Sequence, residues 1–267
     1  MMNENKSGQV TIFVIIGIII IAAAVLVYMF FPEISFALGI GPQNPQEYIQ
    51  TCLEENLKEV IENVSLQGGS SNPENYYLYD DHMIEYLCYT NQYYVPCVVQ
   101  KPMLKKSVEN EIMAGISETA SECFADMKKS YERRGYSVSM SSGESEIQLV
   151  PDKVIAIFNN EIVLTKGSNS ERYESIKVFI DMNLYELVSI ATSIMAMESR
   201  FGDSETTVYM DYYHDLKVEK KKQSDGTTVY ILSERSSVVE DREEPEIKFQ
   251  FASRSYAWPV GYTGESG

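Results

Sequence analysis

Val10 to Phe31 reads VTIFVIIGIIIIAAAVLVYMFF, 22 residues without a charge and with only Thr11 and Tyr28 as polar side chains. As a helix it extends about 33 Å at roughly 1.5 Å per residue, slightly more than the hydrocarbon thickness of a bilayer. A helix buried in a soluble core keeps a polar stripe, and this one is apolar around its whole circumference. The run therefore predicts a single transmembrane helix over residues 10–31. Everything else in the chain has to be organised around that anchor.

The flanks set its direction. The amino terminus and Lys6, against Glu4, precede the run, whereas Pro32 and Glu33 follow it and no Lys or Arg recurs until Lys58. The positive excess on the short N-terminal side predicts the N-terminus inside and the remainder outside. All four cysteines, Cys52, Cys88, Cys97 and Cys123, lie beyond the span. An even number in an outward-facing domain points to two disulfides, among three pairings that four cysteines allow. Cys88 with Cys97, closing a short loop, and Cys52 with Cys123, joining two amphipathic helices, is the preferred pairing; four reduced, buried thiols are the alternative. Asn63-Val64-Ser65 is a candidate glycosylation sequon.

Lys6-Ser7-Gly8-Gln9-Val10-Thr11, directly before the apolar run, resembles the class III signal sequence of archaeal type IV pilin-like proteins. That resemblance implies a prepilin peptidase cut between Gly8 and Gln9, with the apolar helix retained as an anchor or assembly helix. The glutamate that bacterial pilins carry at the fifth mature position is replaced by Phe13, a departure archaeal members often share. The rest of the chain is similar to a group of uncharacterised single-span surface proteins of small-genome archaea. The resemblance rests on Tyr48 to Leu53, on Leu66-Gln67-Gly68-Gly69 and on Phe251 to Tyr256. It implies a cell-surface location and brings no activity with it.

Five segments follow: a leader over 1–9, the membrane helix, a Pro/Gly linker over 32–45, a helical, cysteine-containing region over 46–135 and a strand-rich region over 136–267. Gln46 to Val64 places Ile49, Leu53, Leu57, Val60, Ile61 and Val64 on one helical face, and Gly68-Gly69 ends it. Met103 to Arg134 carries a second stripe from Leu104 to Tyr131. Between them, seven tyrosines fall within Asn72 to Cys97. They predict either a loop packed by its own rings or a contact surface, because tyrosine offers a large rigid area with a polar tip. Segments 146–150, 154–158, 161–165 and 175–180 alternate as strands, separated by turn residues too short for parallel crossovers. A helix over Leu184 to Ser199 follows. Strands are then expected at 208–210, 216–219, 228–232 and 247–251, with Asp225-Gly226 as a hairpin turn. The fold class is α+β: a transmembrane helix, then amphipathic helices and an antiparallel sheet with one packed helix.

Composition narrows the chemistry. Asp and Glu outnumber Lys and Arg 39 to 22, for a net charge of −17, which opposes nucleic-acid binding. Two histidines, His82 and His214, give little material for a metal centre or for imidazole catalysis. No phosphate-loop, nucleophile-elbow or zincin motif occurs. Met197-Glu198-Ser199 resembles the Glu-Ser step of lytic transglycosylases but lacks the Gly-Leu-Met-Gln segment that follows it there. Asp80, Asp81, Asp211, Asp215 and the 240–244 run are oxygen donors without calcium-loop spacing. No catalytic, cofactor or metal residues are therefore assigned. The expected function is a non-catalytic surface interaction or adhesion module, with Tyr76, Tyr77, Tyr79, Tyr93, Tyr94 and Trp258 as candidate contacts. Its partners are the lipid bilayer and other surface proteins or copies of itself. A pilin-like filament subunit and a glycan-cleaving ectoenzyme are the two alternatives.

Overall fold

The computed structural model describes residues 15–23, 44–234 and 247–257. The chain divides into two compact units, Met1–Tyr48 and Ile49–Gly267. In the first, residues 15–23 form a helix (α1) whose isoleucines are exposed. Most of the apolar run and the Gly8-Gln9 junction lie outside the described residues, among which no helix is long and apolar enough to cross a membrane.

The described part is α+β, and its sheets are built almost entirely from antiparallel pairs. Helix α2 (Pro45–Leu66) begins where the side chain of Asn44 accepts the Glu47 amide at 2.8 Å, which satisfies one of the free N–H groups of a first turn. Ile49, Leu53, Leu57, Ile61 and Val64 are at most 1% exposed, one stripe as the spacing predicts. Gly69 ends the helix at φ +83°, with its amide on the Val64 carbonyl at 2.8 Å. Helix α3 (Leu104–Arg133) buries the whole stripe from Leu104 to Tyr131. Close approach of the two helices is visible at Gly115, where a methyl group would fall 2.6 Å from the Val60 side chain. Cys52 and Cys123 are bonded between them, with Cα atoms 6.0 Å apart.

Strands β1 (Tyr76–Tyr79), β2 (His82–Tyr89) and β3 (Val98–Val99) lie between α2 and α3, inside the region read as helical. They belong to a six-stranded sheet completed from the far end of the chain: β10 (Leu216–Lys222), β11 (Thr227–Glu234) and β12 (Lys248–Arg254). Its order is β1-β2-β12-β11-β10, with β3 also on β2. Here the expectation of antiparallel pairing alone is corrected, because β12 runs parallel to β2. Paired residues of the two strands, such as Tyr86 and Ala252, lie more than 160 positions apart in the chain, so no short crossover is needed.

Two three-stranded sheets carry the middle of the chain. They are β4 (Ser137–Ser141), β7 (Glu161–Lys166) and β8 (Asn169–Tyr173) in the order β4-β7-β8, and β5 (Ser145–Val150), β6 (Lys153–Phe158) and β9 (Ile176–Asp181) in the order β5-β6-β9. Asn159-Asn160 is thus a corner at which the chain changes sheet, not a hairpin turn. Helix α4 (Leu184–Phe201) buries Leu184, Leu187, Val188, Ala191, Ile194 and Met195 and touches both the large sheet and β5 and β6. It stops at Gly202, whose φ of +79° and proximity to the Tyr256 ring leave no room for a side chain. The strand expected at 208–210 is helical instead, in α5 (Thr207–Tyr212). Its three-residue β-like pattern cannot be distinguished from one turn of helix.

Candidate interaction site

The tyrosine-rich window is a β-hairpin rather than a loop. Tyr79 and His82 close it around Asp80 and Asp81, which both take positive φ, +47° and +64°. Two left-handed residues in succession make the tight turn whose twist suits a hairpin. Alternation then sorts the rings. Tyr77 and Tyr79 share a face with Ile84 and Tyr86, while Tyr76 and Leu78 point to the other side with Met83.

On the first face Ile84, Tyr86, Val229 and Ala252 form a buried cluster, with Tyr77, Tyr79, Tyr89 and Ile231 packed against it. Tyr77 meets Tyr86 edge-on at 6.5 Å, and Tyr86 meets Tyr89 at 4.9 Å, separations at which aromatic pairs attract. The hydroxyls find partners across the sheet: Tyr86 with Thr227 Oγ1 at 2.7 Å and Tyr77 with Gln223 Oε1 at 3.4 Å. Tyr77 on one edge strand thus reaches the turn that follows the other edge strand, β10, so the sheet is curled around these rings. Burial pushes the Tyr86 phenol up to about 12 and raises that of Tyr77, which the negative charge of nearby Asp225 raises further.

The second part of the site is the loop between β2 and β3. Cys88 and Cys97, bonded with Cα atoms 5.3 Å apart, close it. Tyr94 N–H donates to the Ala257 carbonyl (3.1 Å), and Tyr256 N–H donates to the Val95 carbonyl (2.9 Å). Arg254 donates to the Thr90 and Asp225 carbonyls and lies over the Tyr93 ring at 5.5 Å, a cation–π contact. Tyr93 and Tyr94 stay 44% and 48% exposed. Of the predicted contacts, Tyr77 and Tyr79 therefore serve packing, Tyr76, Tyr93 and Tyr94 face solvent, and Trp258 lies outside the described residues. Sequence alone left Tyr86, Tyr89 and Gln223 unassigned. The alternation of Tyr77 and Tyr79 with Ile84 and Tyr86 across a two-residue turn is the signal that joins them.

Other chemistry is sparse. A cleft of about 540 Å³ lies between α3 and the β4–β5 turn, floored by Phe124, Phe158, Met113 and Met140. Serines and Lys128 rim it, and its lining includes no Asp or Glu. Among the described residues no three His, Cys, Asp or Glu side chains are grouped to hold a metal ion. Asn63 is exposed on α2, but the Ser65 hydroxyl of the same sequon is fully buried.

Glu198 does not line that cleft. It is 2% exposed beneath the large sheet and accepts a hydrogen bond from the Tyr230 hydroxyl. Burial raises its pKa, partly opposed by that hydrogen bond. An acid held above its unfolded value favours folding fully below about pH 4.5 and loses that contribution as pH rises through its folded value. Glu198→Gln keeps the acceptor for Tyr230 without the charge. The variant is expected to match the parent in thermal unfolding near pH 4 and to exceed it progressively towards pH 8. A constant offset across that range excludes ionisation of Glu198 as the cause.

No protein-family model, no curated protein and no solved structure matches this chain.

Proposed function

We propose that this chain is a membrane-anchored surface protein whose extracytoplasmic domain is a non-catalytic interaction or adhesion module. The observation that carries this reading is the exposure of three tyrosines in the tyrosine-rich window, one on the edge strand β1 and two in the β2–β3 loop. There Tyr76, Tyr93 and Tyr94 are 44–48% exposed on a hairpin and a disulfide-closed loop. Tyrosines of this kind give contact area at small entropic cost. The bonding of all four cysteines supports an oxidising compartment. The charge-free run over 10–31 supports an anchor in the bilayer with the N-terminus inside.

A protease added to intact cells is expected to digest the domain, and non-reducing mass spectrometry of the native protein to find both disulfides. A domain digested only after the cells are opened overturns the outward placement. Replacing Tyr76, Tyr93 and Tyr94 together with Ser is expected to abolish surface association while leaving the thermal transition within about 1 kcal/mol of the parent.

Lys6-Ser7-Gly8-Gln9 favours a second reading, an archaeal type IV pilin-like subunit cut by prepilin peptidase after Gly8. It predicts a mature N-terminus at Gln9 and recovery of the protein in sheared filaments. An intact leader on protein that stays with the membrane excludes it.

A further inference from the structure

Strand β1 ends the large sheet, and among the described residues no strand pairs with its outer side. The hydrogen-bond phase of the hairpin decides which backbone groups point outward. Tyr86 N–H donates to the Asn75 carbonyl at 2.9 Å, while Glu85 N–H turns away from β1 to the Gln67 carbonyl at 3.3 Å. Bonded and non-bonded pairs alternate along an antiparallel ladder. Tyr77–Ile84 and Tyr79–His82 are therefore the bonded pairs, and Tyr76 and Leu78 direct their N–H and C=O groups to the outside.

The far edge of the same sheet is guarded. Met210 of α5 places its sulfur 3.4 Å from the outward amide of Val218, and Glu219 is ion-paired to Lys217 and Lys221 along β10. Covering helices and strand-borne charges are the devices that keep an edge from pairing with another chain. Tyr-Tyr-Leu-Tyr in β1 carries neither. Leu78 is 63% exposed, Tyr76 45% and Met83, opposite Leu78, 37%, so an apolar strip runs beside the open backbone groups.

Charge selects the occupant. Exposed Glu74, Asp80 and Asp81 bracket the strand, and the cations near it are already engaged, Lys221 with Glu219 and Lys101 with Glu85 opposite Tyr76. A second copy paired antiparallel on this edge brings Glu74 of one chain against Asp80 of the other, which repels. We propose that the outer edge of β1 receives an extended segment of a partner protein as an added strand. That segment sets apolar side chains against Leu78 and Met83 and carries Lys or Arg at its ends. This rests on the interaction-module reading and supplies its partner chemistry; main-chain bonds give such strand addition its affinity and side-chain pockets its specificity.

The test is a selection from a displayed random decapeptide library against the full chain in detergent micelles at low salt. Peptides with alternating apolar residues and basic ends are expected to be enriched. Bound to the labelled full chain, they are expected to slow hydrogen exchange at the Tyr76 and Leu78 amides. Those of Tyr77 and Tyr79 should be slow already. Leu78→Pro removes an outward donor and spares the bonds to β2, and is expected to weaken binding about tenfold. Leu78→Lys, which leaves every backbone bond in place, controls for folding and is expected to weaken it as well. Glu74→Gln with Asp80→Asn and Asp81→Asn, where Asn tolerates the positive φ, is expected to lower affinity severalfold and flatten its salt dependence. No enrichment, equal binding to the Leu78 variants, or a dimer of the chain that Leu78→Pro dissolves each overturns the proposal. Surface association lost in the Tyr76, Tyr93 and Tyr94 variant but kept in Leu78→Pro defeats the added strand alone and leaves the interaction module standing.

Discussion

Replacing Cys52 and Cys123 together with Ser is expected to destabilise the domain by about 4 kcal/mol. This is the loop-closure estimate for a crosslink whose ends are 71 residues apart. It is a large share of a typical total of about 5–15 kcal/mol. The bond joins α2 to α3, and the intervening chain holds β1, β2 and β3. Without the crosslink, the unfolded chain regains the freedom of that whole stretch. Breaking Cys88–Cys97, whose separation is 9 residues, is expected to cost less, about 3 kcal/mol. Urea unfolding of the two double variants checks the order. Equal losses, or a larger loss at the short loop, reject loop entropy as the main source of stabilisation.

Phe251→Ala should be comparably severe, at about 3–5 kcal/mol for a fully buried aromatic ring. Phe251 is 0% exposed and stacks on Tyr230 with centroids 5.0 Å apart and planes 16° from parallel; Phe249 lies beyond at 6.4 Å. Removing the ring opens a cavity on one side of Tyr230, whose hydroxyl orients Glu198. The loss is therefore expected to grow with pH, as the Glu198 carboxylate ionises in a site that no longer holds its donor firmly. Thermal unfolding of Phe251→Ala at pH 4 and pH 8 measures both effects. A loss below about 1 kcal/mol at either pH contradicts this account of the core.

Helices were the most legible part of the sequence. Each of α2, α3 and α4 is 18 residues or longer and carries an apolar stripe at helical spacing, long enough for the period to declare itself. The pairing of the cysteines was legible for the same reason, because Cys123 sits on the α3 stripe and Cys52 beside that of α2. Strands β5, β6, β7 and β9 alternate and are bounded by strong turn residues. The first hairpin was hidden because Asp80-Asp81 contains no glycine, and because tyrosine pointing either way blurs alternation. Strand β8, Asn-Ser-Glu-Arg-Tyr, is polar and mostly exposed, so it offers no apolar period at all. Which strands share a sheet was not readable, since β2 and β12 meet through contacts that no local pattern encodes. The candidate contact residues were legible as a composition, but their division into packed and solvent-facing rings required the register.

The place of β12 between β2 and β11 has a consequence for biogenesis. Synthesis from the N-terminus delivers β2 well before β12, yet β12 is the strand that joins the two halves of the large sheet. Until residues 248–254 arrive, the strands on both sides of β12, β2 and β11, stay open. A product ending before β12 therefore leaves the edges of β2 and β11 unpaired, open to aggregation or to proteolysis.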